Sequence, residues 1–356
     1  MIKVLGLALY GPQAASHRVR ISQYVPGLAK VGIELHPHSL LDDAYVRSRF
    51  DGGPVPVASV LSSVWTRFRL LWEKGRFDAA IVHCELFPLF PGWIERACLS
   101  MPYIYDFDDA FFLRYRKGHL RRLRPLLGAK FDAVMRGAAA VTAGNRFLHR
   151  YATQFNPNTL LVPSVVDTSI YIPANYRDRV QPFTIGWVGS PSTAMYLDQI
   201  VVPLVSLAAE GPVRLVVIGG KAPFVPGVEV IELPWQADKE IELIMGFDVG
   251  IMPLPNDEWA KGKCGFKLIQ YMACGVPVLA SRVGANVDIV SKECGFLADS
   301  HSEWAAALRA LRDQPELRRQ MGIAARKRAL AEYSLERNLP TMVEIIRRVA
   351  RDGAVN

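Results

Sequence analysis

The sequence predicts an α/β protein with two parallel sheets, each flanked by helices. Short runs rich in Val, Ile and Leu alternate with longer helical patterns through most of the 356 residues, which is typical of strand–helix–strand units. A polar stretch before Pro182 separates two such series, and the length suffices for two domains. We expect two Rossmann-like halves facing across a cleft at the carboxyl ends of their strands, where ligands bind in open α/β sheets.

We expect a first domain over residues 1–175, a second over 183–335, and a final helix at 336–356 that returns to the first domain. The strands predicted in the first domain are Ile2–Leu9, Ala79–His83, Tyr103–Asp106, Ala139–Ala143 and Thr159–Val162. Those predicted in the second are Phe183–Val188, Arg214–Ile218, Val228–Leu233, Val249–Pro253, Val276–Ala280 and Gly295–Ala298. A helix is expected to begin at Ser16, and Pro315 and Pro340 are expected to mark helix breaks or starts.

Composition excludes several classes of protein. No stretch approaches the roughly 18 uninterrupted apolar residues of a membrane-spanning helix. The five cysteines contain no C-x-x-C pair, so neither a disulfide framework nor a zinc site is implied. The opening run Met1–Tyr10 is interpreted as a buried first strand rather than a signal peptide. We therefore expect a soluble, cytoplasmic protein that is at most peripheral on the inner face of the membrane.

The net charge of +8 is confined to the N-terminal half of the chain. The first 175 residues carry 21 Lys and Arg against 13 Asp and Glu, whereas the remainder carries 21 of each. The densest basic segment, 111–126, interleaves its charges with Phe and Leu, which favours docking on an anionic membrane at about 1 kcal/mol per cation. A solvated basic helix is the alternative. No nucleic-acid-binding motif accompanies the charge, so nucleic acid is not an expected partner. The basic residues are Arg114, Arg116, Lys117, Arg121, Arg122 and Arg124.

The most informative stretch is a loop and helix within residues 256–281. A glycine and lysine loop leads into a helix that begins near Gly265, and the free N–H groups and dipole of such a helix start attract anions. Lys263 and Lys267 lie four residues apart, so both can occupy one face of the first turn. Two cations there oppose the helix dipole unless an anion such as a diphosphate offsets them. The alternative is a basic helix start held by nearby surface carboxylates.

The end of this stretch, Tyr-Met-Ala-Cys-Gly-Val-Pro-Val at 271–278, resembles the signature of family 4 glycosyltransferases, the glycosyl transferases group 1, which have the GT-B fold. That family carries Glu-x7-Glu before this motif, whereas here Gln270 and Gly262 stand at the two glutamate positions. In the family the second Glu hydrogen-bonds ribose hydroxyls, a role that Gln270 could keep through its amide. The first Glu contacts the donor sugar, and no residue here is assigned that role.

Two further segments carry the same resemblance. Residues 162–168 resemble the family's Pro-Asn-Gly-Val-Asp segment, and residues 185–193 resemble the first strand and loop of its nucleotide domain. Gly189 would let the backbone approach a phosphate. The Arg and Lys that often follow this loop are missing, so the resemblance assigns the phosphate charge mainly to lysines of the later loop. The expected donor phosphate ligands are Gly11, Gly189, Ser190, Lys263, Gly265, Phe266 and Lys267.

Two loops complete the expected ligand contacts. Pro234 and Trp235 follow a strand where this fold holds the nucleobase, and Trp235 could stack on it, with packing between sheet and helix as the alternative. Near the N-terminus, the loop around Gly11 is expected to face the donor diphosphate, and His17 or Arg18 to contact the acceptor or a phosphate. This loop lacks a full G-x-G-x-x-G, so a dinucleotide cofactor is not supported.

A cluster of acids follows the predicted strand that ends at Asp106. Asp106, Asp108 and Asp109 are suited to a hard cation, but GT-B enzymes generally hold the diphosphate without a metal, so the resemblance implies none. We expect the catalytic group among Asp108, Asp106 and His83, with Asp108 favoured to take the acceptor's hydroxyl proton, and Asp109 on the acceptor side. The alternative is a helix start whose acids complement its dipole.

The resemblance implies a glycosyltransferase that moves a sugar from a nucleoside-diphosphate sugar to a glycan or lipid-linked acceptor with retention of configuration. No organic cofactor and no metal are expected. The first alternative is a nucleotide-sugar epimerase of the same fold, which would need no second substrate. A different class is a non-enzymatic nucleotide- or sugar-binding protein, such as a two-lobed binding protein or a weakly catalytic partner subunit.

Overall fold

The computed structural model describes residues 1–43, 45, 48, 53, 57–73, 75–117, 119–173 and 182–354. The chain divides into two compact units. Unit 1 comprises Met1–Ser164, Gly262–Cys264 and Asn338–Asn356, and unit 2 comprises Val165–Lys261 and Gly265–Arg337. The predicted linker residues 174–181 lie outside the described part of the chain.

Unit 1 contains a six-stranded parallel sheet in the order β2-β1-β3-β4-β5-β6. The strands are β1 (Ile2–Tyr10), β2 (Ile33–Leu41), β3 (Ala79–His83), β4 (Tyr103–Phe107), β5 (Ala140–Ala143) and β6 (Thr159–Leu161). The α-helices are α1 (Ala15–Arg20), α2 (Val25–Ala29), α3 (Val57–Trp72), α4 (Gly92–Cys98), α5 (Arg124–Leu127), α6 (Lys130–Gly137) and α7 (Arg146–Ala152). Short 3-10 helices lie at Ser22–Tyr24, Phe111–Leu113 and His119–Leu123.

Two features of unit 1 differ from the sequence prediction. Strand β2 was not predicted, and it contains Pro37, which pairs opposite Gly6 of β1. The strand lies at the edge of the sheet, where a residue without an N–H group is tolerated because one side of the strand has no ladder to complete. The helix predicted from Ser16 is divided into α1, the 3-10 turn Ser22–Tyr24, and α2.

Unit 2 contains a second six-stranded parallel sheet, in the order β12-β11-β10-β7-β8-β9. Its strands are β7 (Phe183–Val188), β8 (Val213–Ile218), β9 (Glu229–Leu233), β10 (Val249–Met252), β11 (Val278–Ser281) and β12 (Gly295–Ala298). Its α-helices are α8 (Pro191–Ala194), α9 (Val201–Ala208), α10 (Glu240–Ile244), α11 (Glu258–Lys261), α12 (Phe266–Ala273), α13 (Asn286–Ile289), α14 (His301–Asp313) and α15 (Pro315–Glu332), and a 3-10 helix spans Met195–Ile200. Pro277 precedes β11, so it lies outside the strand that sequence analysis assigned to it.

The inner strands of unit 2, β11, β10, β7 and β8, are buried on both faces, and a hydrophobic cluster covers each face, whereas the edge strand β9 is largely exposed. Trp187 of β7 lies in one cluster with the residues of α9 and α14, and Tyr271 of α12 lies in the other. Parallel strands covered by helices on both sides need apolar side chains at nearly every position, which explains the continuous Val and Ile runs. The predicted α/β class with two parallel sheets is therefore confirmed.

The last helix, α16 (Leu335–Ala354), contains residues of both units, and its residues from Asn338 onward belong to unit 1. Its Arg347 guanidinium donates to the carbonyl of Val31 at 3.0 Å, and Arg348 donates to Asn158 Oδ1 at 2.7 Å. Pro340 lies inside this helix, so the prediction of a break or start there was wrong. Pro315, in contrast, is the first residue of α15, as predicted.

Candidate functional site

The loop after β7 approaches the start of α12 through a glycine. A Cβ atom at Gly189 would collide with the Trp187 ring and would lie 2.6 Å from Lys267 Nζ. The same ammonium group lies 3.4 Å from Thr193 Oγ1 and 4.3 Å from the centroid of the Trp187 ring. Ser190 caps the short helix α8 and places its backbone N–H 3.4 Å from Thr193 Oγ1. The predicted phosphate residues Gly189, Ser190 and Lys267 therefore lie together in unit 2.

The start of α12 depends on a second glycine. Gly265 is the N-cap and has φ +67°, a left-handed conformation in which side chains are strained, and a Cβ there would collide with Ile289. Its carbonyl accepts from Leu268 N at 2.9 Å, so the first N–H groups of the helix, those of Phe266 and Lys267, precede the intrahelical ladder. The predicted helix start near Gly265 is confirmed, and it presents N–H groups and a cation from the same turn.

Behind this turn lies a row of hydrogen-bonded polar side chains. Gln270 Nε2 donates to the Tyr171 hydroxyl at 2.8 Å, and that hydroxyl donates to Glu240 Oε2 at 3.2 Å. Trp235 Nε1 donates to the other carboxylate oxygen of Glu240 at 2.7 Å. Trp235 is half-buried, whereas the preceding Pro234 is exposed. The structure thus brings two predicted nucleoside-side residues, Trp235 and Gln270, into one cluster with two residues that sequence reasoning missed.

In unit 1, Asp106 at the end of β4 is fully buried and surrounded by donors. Arg20 pairs with both of its oxygens, His83 Nδ1 lies 2.8 Å from Oδ2, and Thr142 donates to Oδ1 at 2.6 Å. Burial alone would raise the pKa of Asp106, but the Arg20 charge and the hydrogen bond from His83 hold it below its usual range. Arg20 also donates to the carbonyl of Val162 at 2.9 Å. Asp106 is therefore an ionised anchor for Arg20 and His83.

His83 lies between Asp106 and Asp108. With Nδ1 directed at Asp106, its Nε2 atom is buried, has no hydrogen-bond partner and lies 3.7 Å from Asp108 Oδ1. Asp108 is half-buried, so it is more accessible than Asp106. The Nε2 atom, the Cys84 thiol and a carboxylate oxygen of Asp108 lie within 4.8 Å of one another, so these three residues are the group that could hold a metal ion among the described residues. The same arrangement places the unpartnered Nε2 atom of His83 beside the carboxylate of Asp108.

Asp109 and Lys263 form an ion pair within unit 1. The Lys263 ammonium lies 2.6 Å from Asp109 Oδ2, and Asn145 Nδ2 donates to the carbonyls of Gly262 and Lys263 at 3.0 Å each. Burial raises the pKa of Asp109, and Lys263 opposes that shift. Asn145 is also the N-cap of α7, where its Oδ1 accepts from Leu148 N. The structure thus pairs Lys263 with Asp109 in unit 1, whereas Gly189 and Lys267 belong to unit 2.

The loop after β1 is held by its own contacts. A Cβ at Gly11 would collide with the Asp43 carboxylate, which accepts from Gln13 N at 2.9 Å. Arg18 donates to the carbonyl of Gln13 at 2.7 Å, so its guanidinium closes this loop. Burial lowers the pKa of His17 to about 4, so its ring is neutral at physiological pH, and its Nδ1 lies 2.9 Å from the hydroxyl of Ser22.

The basic segment 111–126 divides into inward and outward cations. Arg114 pairs with the buried Glu85 at 2.9 Å, and Arg116 pairs with Asp132 at 2.6 Å. Arg121, Arg122 and Arg124, in contrast, are exposed together with Leu123 and Leu126. Across the described residues, no helix is both long and apolar enough to cross a membrane.

Sequence analysis missed three residues of the candidate site, Arg20, Tyr171 and Glu240, because their hydrogen-bond partners are distant in sequence. Arg20 and Asp106 are 86 residues apart, and Tyr171 and Glu240 are 69 apart. The available signal for Arg20 was its position four residues before the apolar Tyr24, which would put both on one face if the predicted helix ran unbroken. Glu240 carried a weaker signal, an acid five residues after a candidate base-stacking Trp235 and within reach of its indole N–H.

The two parallel sheets and their flanking helices match the GT-B fold. Sucrose-phosphate synthase of Thermosynechococcus elongatus has the same fold, with a TM-score of 0.71 and 14% identity, over 99% of this chain and 100% of that one. HepE of Anabaena, in a complex with UDP-glucose, gives a TM-score of 0.69 and 15% identity over 99% and 100% of the two chains. Identities this low establish the fold alone.

Residues 182–314, which lie within unit 2, match the family described as glycosyl transferases group 1. The resemblance inferred from the 271–278 motif is thereby confirmed. A curated relative, the GDP-mannose-dependent alpha-(1-6)-phosphatidylinositol dimannoside mannosyltransferase of Mycobacterium tuberculosis, is 28% identical over 189 residues. That match covers 48% of this chain and 48% of the relative, so the chain spans about half the length of the curated relative it matches.

Proposed function

We propose that the protein is a glycosyltransferase that moves a sugar from a nucleoside-diphosphate sugar to a glycan or lipid-linked acceptor, with retention of configuration. The observation that carries the proposal is that Gly189 and Thr193, after β7, lie beside Lys267 in the first turn of α12. The match of residues 182–314 to glycosyl transferases group 1 supports it, as do a GDP-mannose-dependent relative and a structural neighbour that binds UDP-glucose.

The donor's diphosphate would bind where backbone N–H groups and a cation converge. The N–H groups of Phe266 and Lys267 begin a helix whose dipole attracts negative charge. Gly189 lets the Trp187 ring and the Lys267 ammonium pack against the backbone of this loop, because a Cβ atom there would lie within 2.6 Å of both. When the glycosidic bond breaks, charge develops on the leaving diphosphate, and these fixed donors would stabilise it in the transition state.

The nucleoside would extend from this point toward Trp235. A Cβ at Gly219 would lie 3.0 Å from Trp235 Cβ and would collide with the carbonyl of Gly189, so the phosphate loop and the indole are neighbours across this glycine. A half-buried Trp with its N–H bonded to Glu240 presents a fixed ring for stacking. Trp235 and Pro234 are therefore proposed as base contacts.

The acceptor would bind to unit 1, where His83 and Asp108 are proposed to take the proton of its attacking hydroxyl. Because Asp106 accepts from His83 Nδ1, the Nε2 lone pair remains as the basic site, 3.7 Å from Asp108. Asp106 itself would act by orienting His83, since its oxygens already bind Arg20 and Thr142. His17, Arg18 and Asp109 are proposed acceptor contacts, and Gly11 and Lys263 remain proposed phosphate contacts.

The test is calorimetric titration with GDP, UDP, ADP and TDP and their common sugar conjugates, on the wild type and on Lys267→Ala. We expect one nucleotide to bind, and Lys267→Ala to weaken it about 10- to 100-fold, the range for a charged hydrogen-bond partner. Lys292→Ala removes an exposed lysine of the same unit and serves as the matched control. Equal affinity in wild type and Lys267→Ala would refute the phosphate assignment, and no binding of any nucleotide would refute the donor site.

Donor binding is proposed to require no metal. The residues that gather around the proposed phosphate position in unit 2 are a lysine, a threonine and glycines, which do not ligate divalent cations through side-chain carboxylates. Titration of the nucleotide in excess EDTA should give the same affinity as titration with Mg²⁺. A tenfold or greater loss in EDTA would assign a metal to donor binding.

We also propose that unit 1 docks on anionic lipid through the exposed part of segment 111–126. The outward cations alternate with exposed leucines, a composition that suits a headgroup region. Helix α3 adds an exposed apolar stripe at helical spacing, which supports the same surface character on this unit. The stripe consists of Val57, Leu61, Trp65 and Trp72.

Flotation with phosphatidylglycerol-containing vesicles tests this docking. The triple variant Arg121→Gln, Arg122→Gln, Arg124→Gln should lose retention by about tenfold or more, since each cation near the surface contributes about 1 kcal/mol. The control replaces three exposed lysines of unit 2, Lys221, Lys239 and Lys292, by Gln and should retain binding. Equal retention of the arginine variant and wild type would exclude the segment as the docking surface.

A further inference from the structure

The amide of Gln270, at the position of the family's ribose-binding Glu, is already engaged within the protein. Its Nε2 donates to the Tyr171 hydroxyl at 2.8 Å, and Gln270 is only 2% exposed. The peptide carbonyl of Tyr171 in turn accepts from Arg326, whose guanidinium also donates to the carbonyl of Thr168. Tyr171 is thus fixed on both its backbone and its hydroxyl, and a ribose that displaced it from Gln270 would break an existing hydrogen bond.

The hydrogen bonds of this cluster converge on a carboxylate. Glu240 receives one hydrogen bond on each oxygen, from the Tyr171 hydroxyl at 3.2 Å and from the Trp235 indole at 2.7 Å. An ionised carboxylate offers about four lone-pair sites, so two remain after these bonds. Two free acceptor sites on adjacent oxygens match the two hydroxyls of a vicinal diol. Glu240 is 7% exposed, so more of it is accessible than of Gln270.

The position of Glu240 agrees with that match. It begins α10, five residues after Trp235, and its carboxylate contacts the indole proposed to stack on the base. The phosphate loop at Gly189 adjoins Trp235 through Gly219. A nucleoside diphosphate with its base on the indole and its phosphates at Lys267 has its ribose between these two points, beside the edge that carries Glu240.

We infer that Glu240, rather than Gln270, receives the ribose hydroxyls of the donor, and that Tyr171 and Trp235 hold its carboxylate in position. This inference rests on the proposed function, because it names the ribose contact of the same donor site. It assigns a carboxylate to a role that the sequence motif leaves to an amide, and it makes Glu240 the residue that distinguishes ribonucleotides from deoxyribonucleotides.

The test compares GDP with 2′-deoxy-GDP, and UDP with 2′-deoxy-UDP, by calorimetric titration. In the wild type we expect the ribonucleotide to bind about 10- to 100-fold more tightly than its deoxy form, as expected for a hydrogen bond to a charged acceptor. In Glu240→Gln, which preserves the shape but loses the charge, that preference should fall to about twofold. Affinity for the deoxy form should change little, a selectivity that a general loss of folding would not produce.

Gln270→Ala is the matched variant, because Gln270 lies at the other end of the hydrogen-bonded series that runs through Tyr171 to Glu240. It should keep the ribose preference if Glu240 is the ribose contact. An undiminished preference in Glu240→Gln, or its loss in Gln270→Ala alone, overturns this inference while the donor site stands. If the wild type binds none of GDP, UDP, ADP and TDP, the inference and the donor site both fail. Binding of TDP alone, which is itself a deoxyribonucleotide, overturns the inference while the donor site stands. Tyr171→Phe provides a second measurement that removes one of the two bonds to the carboxylate and should reduce the preference only in part.

Discussion

The carboxyl edges of the two sheets carry different kinds of residue. In unit 1 the edge carries buried carboxylates, Asp106 and Glu85, whose oxygens are occupied by protein donors. In unit 2 the corresponding edge carries glycines and Lys267, whose ammonium contacts the Trp187 ring and the Thr193 hydroxyl. One edge pairs buried carboxylates with protein donors, whereas the other packs a cation against a glycine backbone, an aromatic ring and a hydroxyl.

The second carboxylate of unit 1 illustrates how complete this internal pairing is. Glu85 accepts from the Tyr115 hydroxyl and from Lys130 at 2.7 Å each, and from Arg114 at 2.9 Å. Lys130, which has no exposed side-chain surface, also lies 3.0 Å from Glu95. A buried charge must be paired to remain ionised, so these residues fix the edge of the sheet instead of binding a ligand. His83 and Asp108 are the groups of this edge that keep an unused nitrogen and an accessible carboxylate.

Breaking one pair in unit 1 should produce the largest effect on stability. Arg20→Met leaves Asp106 charged and buried without its cation, and we expect unfolding to be easier by about 3–5 kcal/mol, the cost of an uncompensated buried charge. Urea denaturation followed by circular dichroism measures this loss. The double variant Arg20→Met with Asp106→Asn removes both charges and should recover part of the stability. A loss in the free energy of unfolding below about 1 kcal/mol in Arg20→Met would show that water reaches Asp106. The carboxyl edge of unit 1 would then, like that of unit 2, not depend on a buried ion pair.

Much of the fold could be predicted from the sequence because parallel strands that are buried on both faces are continuous apolar runs. Phe183–Val188 was predicted with both of its bounds as they occur in the structure. Strand β2 could not be predicted, because its Pro37 and two histidines resemble a loop unless the strand is known to lie at the sheet edge. Whether a strand is at the edge depends on pairing across the chain, which a local pattern does not contain.

The residues of the candidate site fall into the same two groups, those with a local sequence signal and those without one. The helix start could be placed because its requirements are local: Gly265 needs a left-handed backbone, and Lys267 belongs to the first turn of the helix. The donor-binding role of these residues stays a prediction. The partners that orient these groups were not found, because a pair such as Tyr171 and Glu240 depends on how the chain folds back. Gly11 was predicted as a phosphate contact, and the structure supplies another reason for it, the carboxylate of Asp43.

Gly189→Ala tests how closely Trp187 and Lys267 pack against the loop after β7. The new methyl group would meet the ring of Trp187, which is fully buried and cannot move away, so we expect a loss of about 1–3 kcal/mol in stability from overpacking. It would also displace the Lys267 ammonium, which would lie 2.6 Å from the new Cβ atom, and so weaken nucleotide binding. Gly211→Ala, whose Cβ would meet no atom within 4 Å, is the matched control in the same unit. Thermal denaturation and nucleotide titration of both variants measure the effect. Equal behaviour of the two would mean that the loop after β7 moves freely and that its glycine is not required.

The smallest expected effect concerns Glu95, which pairs with Lys130 together with Glu85. Burial raises the pKa of Glu95 to about 7, an effect that Lys130 and the N–H of Phe87 only partly offset. The folded protein therefore holds this proton between about pH 4.5 and 7, where the unfolded chain has lost it. The stability contributed by Glu95 is complete below pH 4.5 and is lost as the pH rises through 7.

Glu95→Gln removes this titration and isolates it from other groups. The free energy of unfolding of the wild type minus that of Glu95→Gln should fall as the pH rises from 5 to 7, by less than about 1.4 kcal/mol per pH unit, and should be constant above pH 8. Urea denaturation at four pH values gives this difference, and the exposed Glu332→Gln serves as control. A difference that stays constant from pH 5 to 8 would mean that Lys130 keeps Glu95 ionised throughout. The pair would then be as strongly coupled as Arg20 and Asp106, and the contrast between the two edges would be greater than the burial of Glu95 implies.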